Sequence, residues 1–182
     1  MKTPIDLYKL GEHLHFNDAR ETTNGKRSEG ILTVGAGKSG PPPHRHMLQD
    51  EGFEIVSGEM IAVVEGKQII LKAGQRIVVK PGESHTFKNG SMSEKLVANF
   101  WFEPALNMEW MLQTFGEEAM KRGGSWANVP ILQMLYCMHK MRKEYRLAGM
   151  PFWLQDLLFG FFAWLAEITG EAKKINLPDS LK

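Results

Sequence analysis

The chain has 182 residues, 43% hydrophobic and 24% charged, which suits one well-packed core or one core with an appended subdomain. Lys and Arg total 22 against 21 Asp and Glu, so no overall basic field exists to draw nucleic acid. The single cysteine, Cys137, has no internal disulfide partner, and the opening MKTPIDLYKLGEHLHF holds no long apolar run. A cytoplasmic protein without a secretory signal is therefore expected.

Residues 1–27 are mixed and polar, with turn signals at Gly11 and Asn24-Gly25, and predict one or two short edge strands. His13-x-His15 sits there without a partner motif: Arg20 stands where a carboxylate ligand would be needed. Two histidines on an edge strand are the expectation. SEGILTVGA (residues 28–36) reads as a strand. The following GAGKSG lacks the earlier glycine of a phosphate loop, since Leu32 occupies that place, so a flexible turn before Pro41-Pro42-Pro43 is expected.

The next stretch, PPPHRHMLQDEGFEIVSG, carries the densest chemistry. Two histidines at i and i+2 of an extended chain point to the same side, so His44 and His46 share a face. In the strand Glu51–Val56, Glu51, Phe53 and Ile55 alternate onto one face and Glu54 onto the other, which selects Glu51 as the inward carboxylate. Imidazole nitrogen and carboxylate oxygen together suit a divalent transition metal. Strands are then expected at 59–64, 68–71 and 76–79, separated by a hairpin at Glu65-Gly66-Lys67 and turns at Ala73-Gly74 and Pro81-Gly82. His85, Phe87 and Asn89 share a face of the strand that follows, so His85 can close a set of three histidines and one carboxylate. KLVANFWF (95–102) is a strongly apolar strand. Short strands between glycine and proline turns argue for an antiparallel barrel or sandwich.

At Pro104 the pattern changes. Asn107 is placed to cap a helix running to about Arg122, with Gly123-Gly124 as its stop. Asn128 is placed to cap a second, continuing through MHKMRKEYRL to Gly149, with basic residues at the favourable end of the helix dipole. Pro151 opens a third, ending near Gly170. Leu157–Ala166 is apolar around the whole circumference but too short to span a bilayer. The expectation is a helix buried in the monomer or at a dimer interface, with membrane-surface contact as the alternative. The methionines of this half read as core filler rather than as the lining of a ligand pocket. Cys137 and His139, two apart on a helix, do not face one another and form no nucleophile–base pair.

The two histidine-bearing stretches resemble the paired motifs of the cupin superfamily. From His44 to Gly58 the first motif is complete: HxH, four residues, Glu51, six residues, Gly58. Upstream, Lys38 occupies the expected glycine position, between Gly37 and Gly40. The second runs Gly74, five residues, Lys80-x-Gly82, two residues, His85, three residues, Asn89, with lysine where proline is expected and Pro81 one place late. The likeness covers roughly residues 28–102. It implies a mainly β fold: a double-stranded β-helix, the jelly-roll barrel of RmlC-like proteins, over 1–104. The pattern after Pro104, which the likeness does not reach, adds a C-terminal helical extension of about three helices over 105–182, packed on the barrel or at a dimer interface. The likeness also implies one divalent transition metal (Fe, Mn, Ni, Cu or Zn) held by His44, His46, Glu51 and His85, and a small organic molecule in the barrel; the apolar third helix adds the expectation of a homodimer. Function divides between a metal-dependent oxygenase of the quercetin-dioxygenase-like kind, or an isomerase, and a non-catalytic small-molecule binding or sensing module with an oligomerising or membrane-surface helical region.

Overall fold

The structure is a computed structural model and describes residues 4–7, 9 and 11–182. Along these residues run β1 (Ile5–Leu7), β2 (Glu12–Phe16), a short helix α1 (Ala19–Thr22), β3 (Ser28–Val34), β4 (His44–His46), β5 (Asp50–Ser57), β6 (Glu59–Val64), β7 (Lys67–Lys72), β8 (Arg76–Val79), β9 (His85–Asn89) and β10 (Leu96–Glu103). Then come α2 (Met108–Lys121), α3 (Ile131–Lys140), β11 (Tyr145–Leu147) and α4 (Phe152–Ile168). The strands form two antiparallel sheets, ordered β1-β2-β3-β10-β5-β8 and β11-β4-β9-β6-β7. This is the jelly-roll barrel that the resemblance implied, with the helical C-terminal region expected from the pattern after Pro104.

Alternation builds the core. In β5, Glu51, Phe53 and Ile55 are buried and Glu54 is exposed; in β9, His85, Phe87 and Asn89 are buried. Between the sheets lie Leu32, Val34, Phe53, Met60, Phe87, Leu96, Phe100 and Phe102. One close approach fixes β5 against β10. Gly52 faces Trp101 across the ladder, and a Cβ there would sit 2.0 Å from the indole. The exchanged proline also finds its reason. Lys80–Glu83 is a β-turn with Pro81 at its second position and Gly82 at φ 84° at its third, closed by Glu83 N–H donating to the Lys80 carbonyl at 3.1 Å. Lysine keeps the N–H that proline would lack, and donates it to Glu83 Oε2 at 2.8 Å.

The helices pack on the outer flank. Met108, Met111, Phe115 and Ala119 of α2 join Ile5 and Leu7 in the core, and Met141 is fully buried, so these methionines are filler as expected. Asn107 precedes α2, but its side chain makes no capping bond; it donates from Nδ2 to Glu144 at 2.5 Å and accepts from Ser180 Oγ at 2.9 Å.

The second helix departs most from expectation. It starts at Ile131 rather than beside Asn128, which belongs to a single helical turn capped by Ser125. It stops at Lys140, and Tyr145–Leu147 is a strand. Arg142, Lys143 and Arg146 therefore lie beyond the helix dipole. Tertiary pairing overrides the helix-forming residues there. β11 lies antiparallel to β4, Met47 N–H donates to the Glu144 carbonyl at 2.7 Å, and Ala148 N–H donates to the Pro43 carbonyl at 2.9 Å. Gln155 of α4 holds the other side. Its Oε1 accepts from Leu147 N–H at 3.1 Å, and its Nε2 donates to the carbonyls of Leu147 and Met150 at 2.9 and 2.8 Å. The third helix is also not buried all round. Gln155, Phe159, Ala163 and Ala166 face inward, whereas Trp153, Leu157, Phe161, Trp164 and Ile168 are each at least half exposed. No helix among the described residues is long and apolar enough to cross a membrane.

Candidate metal centre

His44 and His46 come from β4, Glu51 from β5 and His85 from β9, so both sheets contribute. His44 pairs with His85 across the β4–β9 ladder. All four side chains are buried, and one donor atom from each lies within 4.8 Å of every other. His44 Nε2 stands 3.2 Å from His46 Nε2; Glu51 Oε2 stands 3.3 Å from His46 Nε2 and 2.5 Å from His85 Nε2.

Local structure aims the rings. His44 Nδ1 donates to the Pro42 carbonyl at 3.0 Å, and His85 Nδ1 donates to the Glu83 carbonyl at 3.1 Å. All three carbonyls of the proline run are used, since Pro41 accepts from Thr86 Oγ1 at 2.7 Å and Pro43 from Ala148 N–H. A chain with no N–H groups of its own thus fixes β4 against β9 and β11.

These bonds settle where electron pairs point. With Nδ1 protonated, neutral His44 presents a bare Nε2 inward, and His85 does so once it gives up the proton it shares with Glu51. His46 Nδ1 is buried without a partner, so that ring's usable atom is Nε2 as well. Three imidazole Nε2 atoms and a carboxylate therefore converge. A proton relieves only one such contact at a time, whereas a divalent cation relieves them all, so the donor set fits a transition metal. The electrostatics agree. Burial, with the nearby His46, drives His44 down to about 3, keeping it neutral. Burial alone would raise Glu51, but His46 and His85 hold it well below the usual carboxylate range. Burial would lower His85, yet Glu51 outweighs it and holds that ring above its ordinary value.

The other sequence candidates do not assemble. His13 Nδ1 pairs with Asp6 at 3.0 Å on the neighbouring strand, and His15 is exposed. Glu54 and Arg76 are exposed cross-strand partners on the outer face. Cys137 is fully buried and burial pushes its thiol up to about 12, an inert state. The residue that sequence reading missed is Tyr145. It stacks on His44 with ring centroids 5.1 Å apart and an interplanar angle of 27°. Nothing in KMRKEYRL marks it, because its place depends on the long-range β4–β11 pairing.

Comparison with known proteins agrees with this architecture. A family model described as "Cupin domain" matches residues 30–99. A predicted oxalate decarboxylase from Thermotoga maritima is 21% identical at a TM-score of 0.51, over 56% of this chain and 92% of that one. An RmlC-like cupin from Shewanella frigidimarina is 18% identical at 0.48, over 60% and 89%, and KdgF from Halomonas sp. is 17% identical at 0.46, over 56% and 86%. At 21% identity the likeness to the Thermotoga protein is one of fold. No curated protein sequence matches the chain.

Proposed function

Residues 30–99 of this chain are a cupin domain, and from that premise we propose that the barrel holds one divalent transition metal through His44, His46, Glu51 and His85 and takes a small organic molecule beside it. The convergence of three imidazole nitrogens on a buried carboxylate carries this reading. Four protein ligands leave one or two positions of a five- or six-coordinate ion for an oxygen-bearing molecule, and the bound ion supplies redox or Lewis-acid chemistry there. The chain's own residues do the rest. The carbonyls of Pro42 and Glu83 orient His44 and His85. Glu51 supplies the anionic ligand. Phe53, Phe87 and Phe102 exclude water from the barrel behind the cluster, which strengthens electrostatic contacts within it.

Among enzymes, a metal-dependent oxygenase or isomerase fits this donor set best. Elemental analysis of protein purified without added metal or a histidine tag is expected to find about one equivalent of Fe, Mn, Ni, Cu or Zn. The element found selects between redox and Lewis-acid chemistry. Metal-free protein that also rejects added metal would overturn the reading and leave a non-catalytic binding module. The buried, unpaired thiol of Cys137 favours the cytoplasm.

The exposed face of α4 favours a homodimer. Trp153, Leu157, Phe161, Trp164 and Ile168 recur at three- and four-residue spacing, forming one apolar stripe. Arg146–Asp156 at 2.6 Å and Lys140–Glu167 at 4.0 Å pair most of the charge at its rim, which weakens its attraction to an anionic lipid surface. A second copy laid against the same stripe covers it. Light scattering is expected to give twice the 20.6 kDa chain mass for the wild type and one chain mass for Phe161→Glu. A monomeric wild type rules the dimer out, and association with lipid vesicles instead would assign the stripe to a membrane surface.

A further inference from the structure

Tyr145 stands directly opposite His46 in the β4–β11 ladder, so the two side chains leave the same face of the sheet. Its ring stacks on His44 and meets His46 edge-on, with centroids 5.9 Å apart at 63°. Tyr145 is only 8% exposed, no residue among those described hydrogen-bonds its hydroxyl, and that hydroxyl is not sealed in but opens onto accessible space. An otherwise buried phenol with a free hydroxyl is placed to donate to whatever enters that space. At neutral pH a phenol keeps its proton, so what it offers is a donor.

The charge of the centre says what would accept from it. A divalent ion held by three neutral imidazoles and one carboxylate leaves one positive charge uncompensated in a dry pocket. An anionic oxygen meets both demands, coordination by the ion and acceptance from a phenol. We propose that Tyr145 is a ligand-binding residue of the metal centre, whose hydroxyl donates a hydrogen bond to an anionic oxygen of a small carboxylate-, enolate- or hydroxamate-like molecule bound beside His44 and His46. The inference rests on the metal-centre reading above and adds the class of ligand. It also gives the C-terminal region a part in the site, because β11 lies outside the segment matched by the cupin family model.

The test uses full-length protein loaded with Co(II), followed by visible absorption while acetohydroxamate or imidazole is added. Acetohydroxamate presents anionic oxygens to the hydroxyl. Imidazole, once coordinated through one nitrogen, presents only N–H and C–H groups. Tyr145→Phe is expected to keep about one equivalent of cobalt and to bind acetohydroxamate at least about tenfold more weakly, with imidazole affinity unchanged. Equal acetohydroxamate affinity in both proteins overturns the inference. So does an equal loss for both probes, which marks a packing role, and so does a wild type whose cobalt spectrum ignores acetohydroxamate; each leaves the metal-centre reading standing. A wild type that takes up no cobalt overturns both.

If the variant does not fold, wild-type protein carrying 3-fluorotyrosine and zinc decides the matter. The chain has three tyrosines. One of the three fluorine resonances is expected to shift when acetohydroxamate is added, and no shift in any of them overturns the inference.

Discussion

Glu51→Ala is expected to fold and to lose the metal. Glu51 is the only anionic group in the cluster, and its Oε2 touches both His46 and His85. Groups that merely support metal ligands are worth about 10- to 100-fold in affinity, so removing the charged ligand is expected to weaken binding at least about a hundredfold. Dialysed variant protein should contain less than a tenth of the wild-type metal, while its β-rich circular dichroism stays unchanged. Full occupancy in the variant would remove Glu51 from the ligand set.

The same carboxylate sets the pH response of the metal-free protein. Because Glu51 holds His85 above 6.5 despite burial, folded His85 binds its proton more tightly than the unfolded chain does. Its contribution is complete below 6.5 and is lost as pH rises through the raised value. His44, lowered to about 3 by burial and His46, acts in the opposite sense, but only at pH values below the ordinary histidine range. Chelated wild type should therefore lose thermal stability as pH rises above 6.5, and chelated Glu51→Ala should not show that fall. Parallel melting curves for the two proteins would contradict the pairing of Glu51 with His85.

The second large effect lies at Gln155, which is 1% exposed and makes three hydrogen bonds, two to Leu147 of β11 and one to Met150 in the loop after it. Leucine is close in size but satisfies none of the Leu147 N–H, the Leu147 carbonyl or the Met150 carbonyl. Each buried polar group left without a partner costs about 1–3 kcal/mol. Gln155→Leu is expected to lose about 3 kcal/mol in urea unfolding, with an unchanged dependence on denaturant. Because β11 flanks β4, the variant should also hold metal less tightly. A change below about 0.5 kcal/mol, the range of ordinary surface substitutions, would show that these bonds do not anchor the strand.

What could be read from the sequence follows the range of the interactions. β6 at Glu59–Val64 and β8 at Arg76–Val79 fall where alternation and flanking turn residues placed them, because strand signals are local. The same parity put Glu51 inward and Glu54 outward, and the structure brings His44, His46, Glu51 and His85 together. Tyr145 was hidden for the converse reason. Lys, Arg, Glu and Leu around it favour helix, and only a partner strand distant in sequence makes KEYRL extended. Gln155 lies just outside the apolar run Leu157–Ala166, and a hydrogen-bonding role for a buried glutamine depends on which carbonyls the fold brings to it. The exposed stripe of α4 was also illegible, because a helix apolar on every side does not announce which side the barrel covers.

The lateness of β11 matters before the protein is finished. β4 meets β9 at a single residue pair, and its fuller neighbour β11 follows about a hundred residues later in the chain. At translation rates of about 5–20 residues per second, the strand carrying His44 and His46 waits roughly 5–20 seconds for that neighbour. During this interval its open edge could pair with another nascent chain. Proline has no N–H to offer such a partner. Pro41, Pro42 and Pro43, which hold His44 in the completed site, also guard the growing chain against aggregation while it waits.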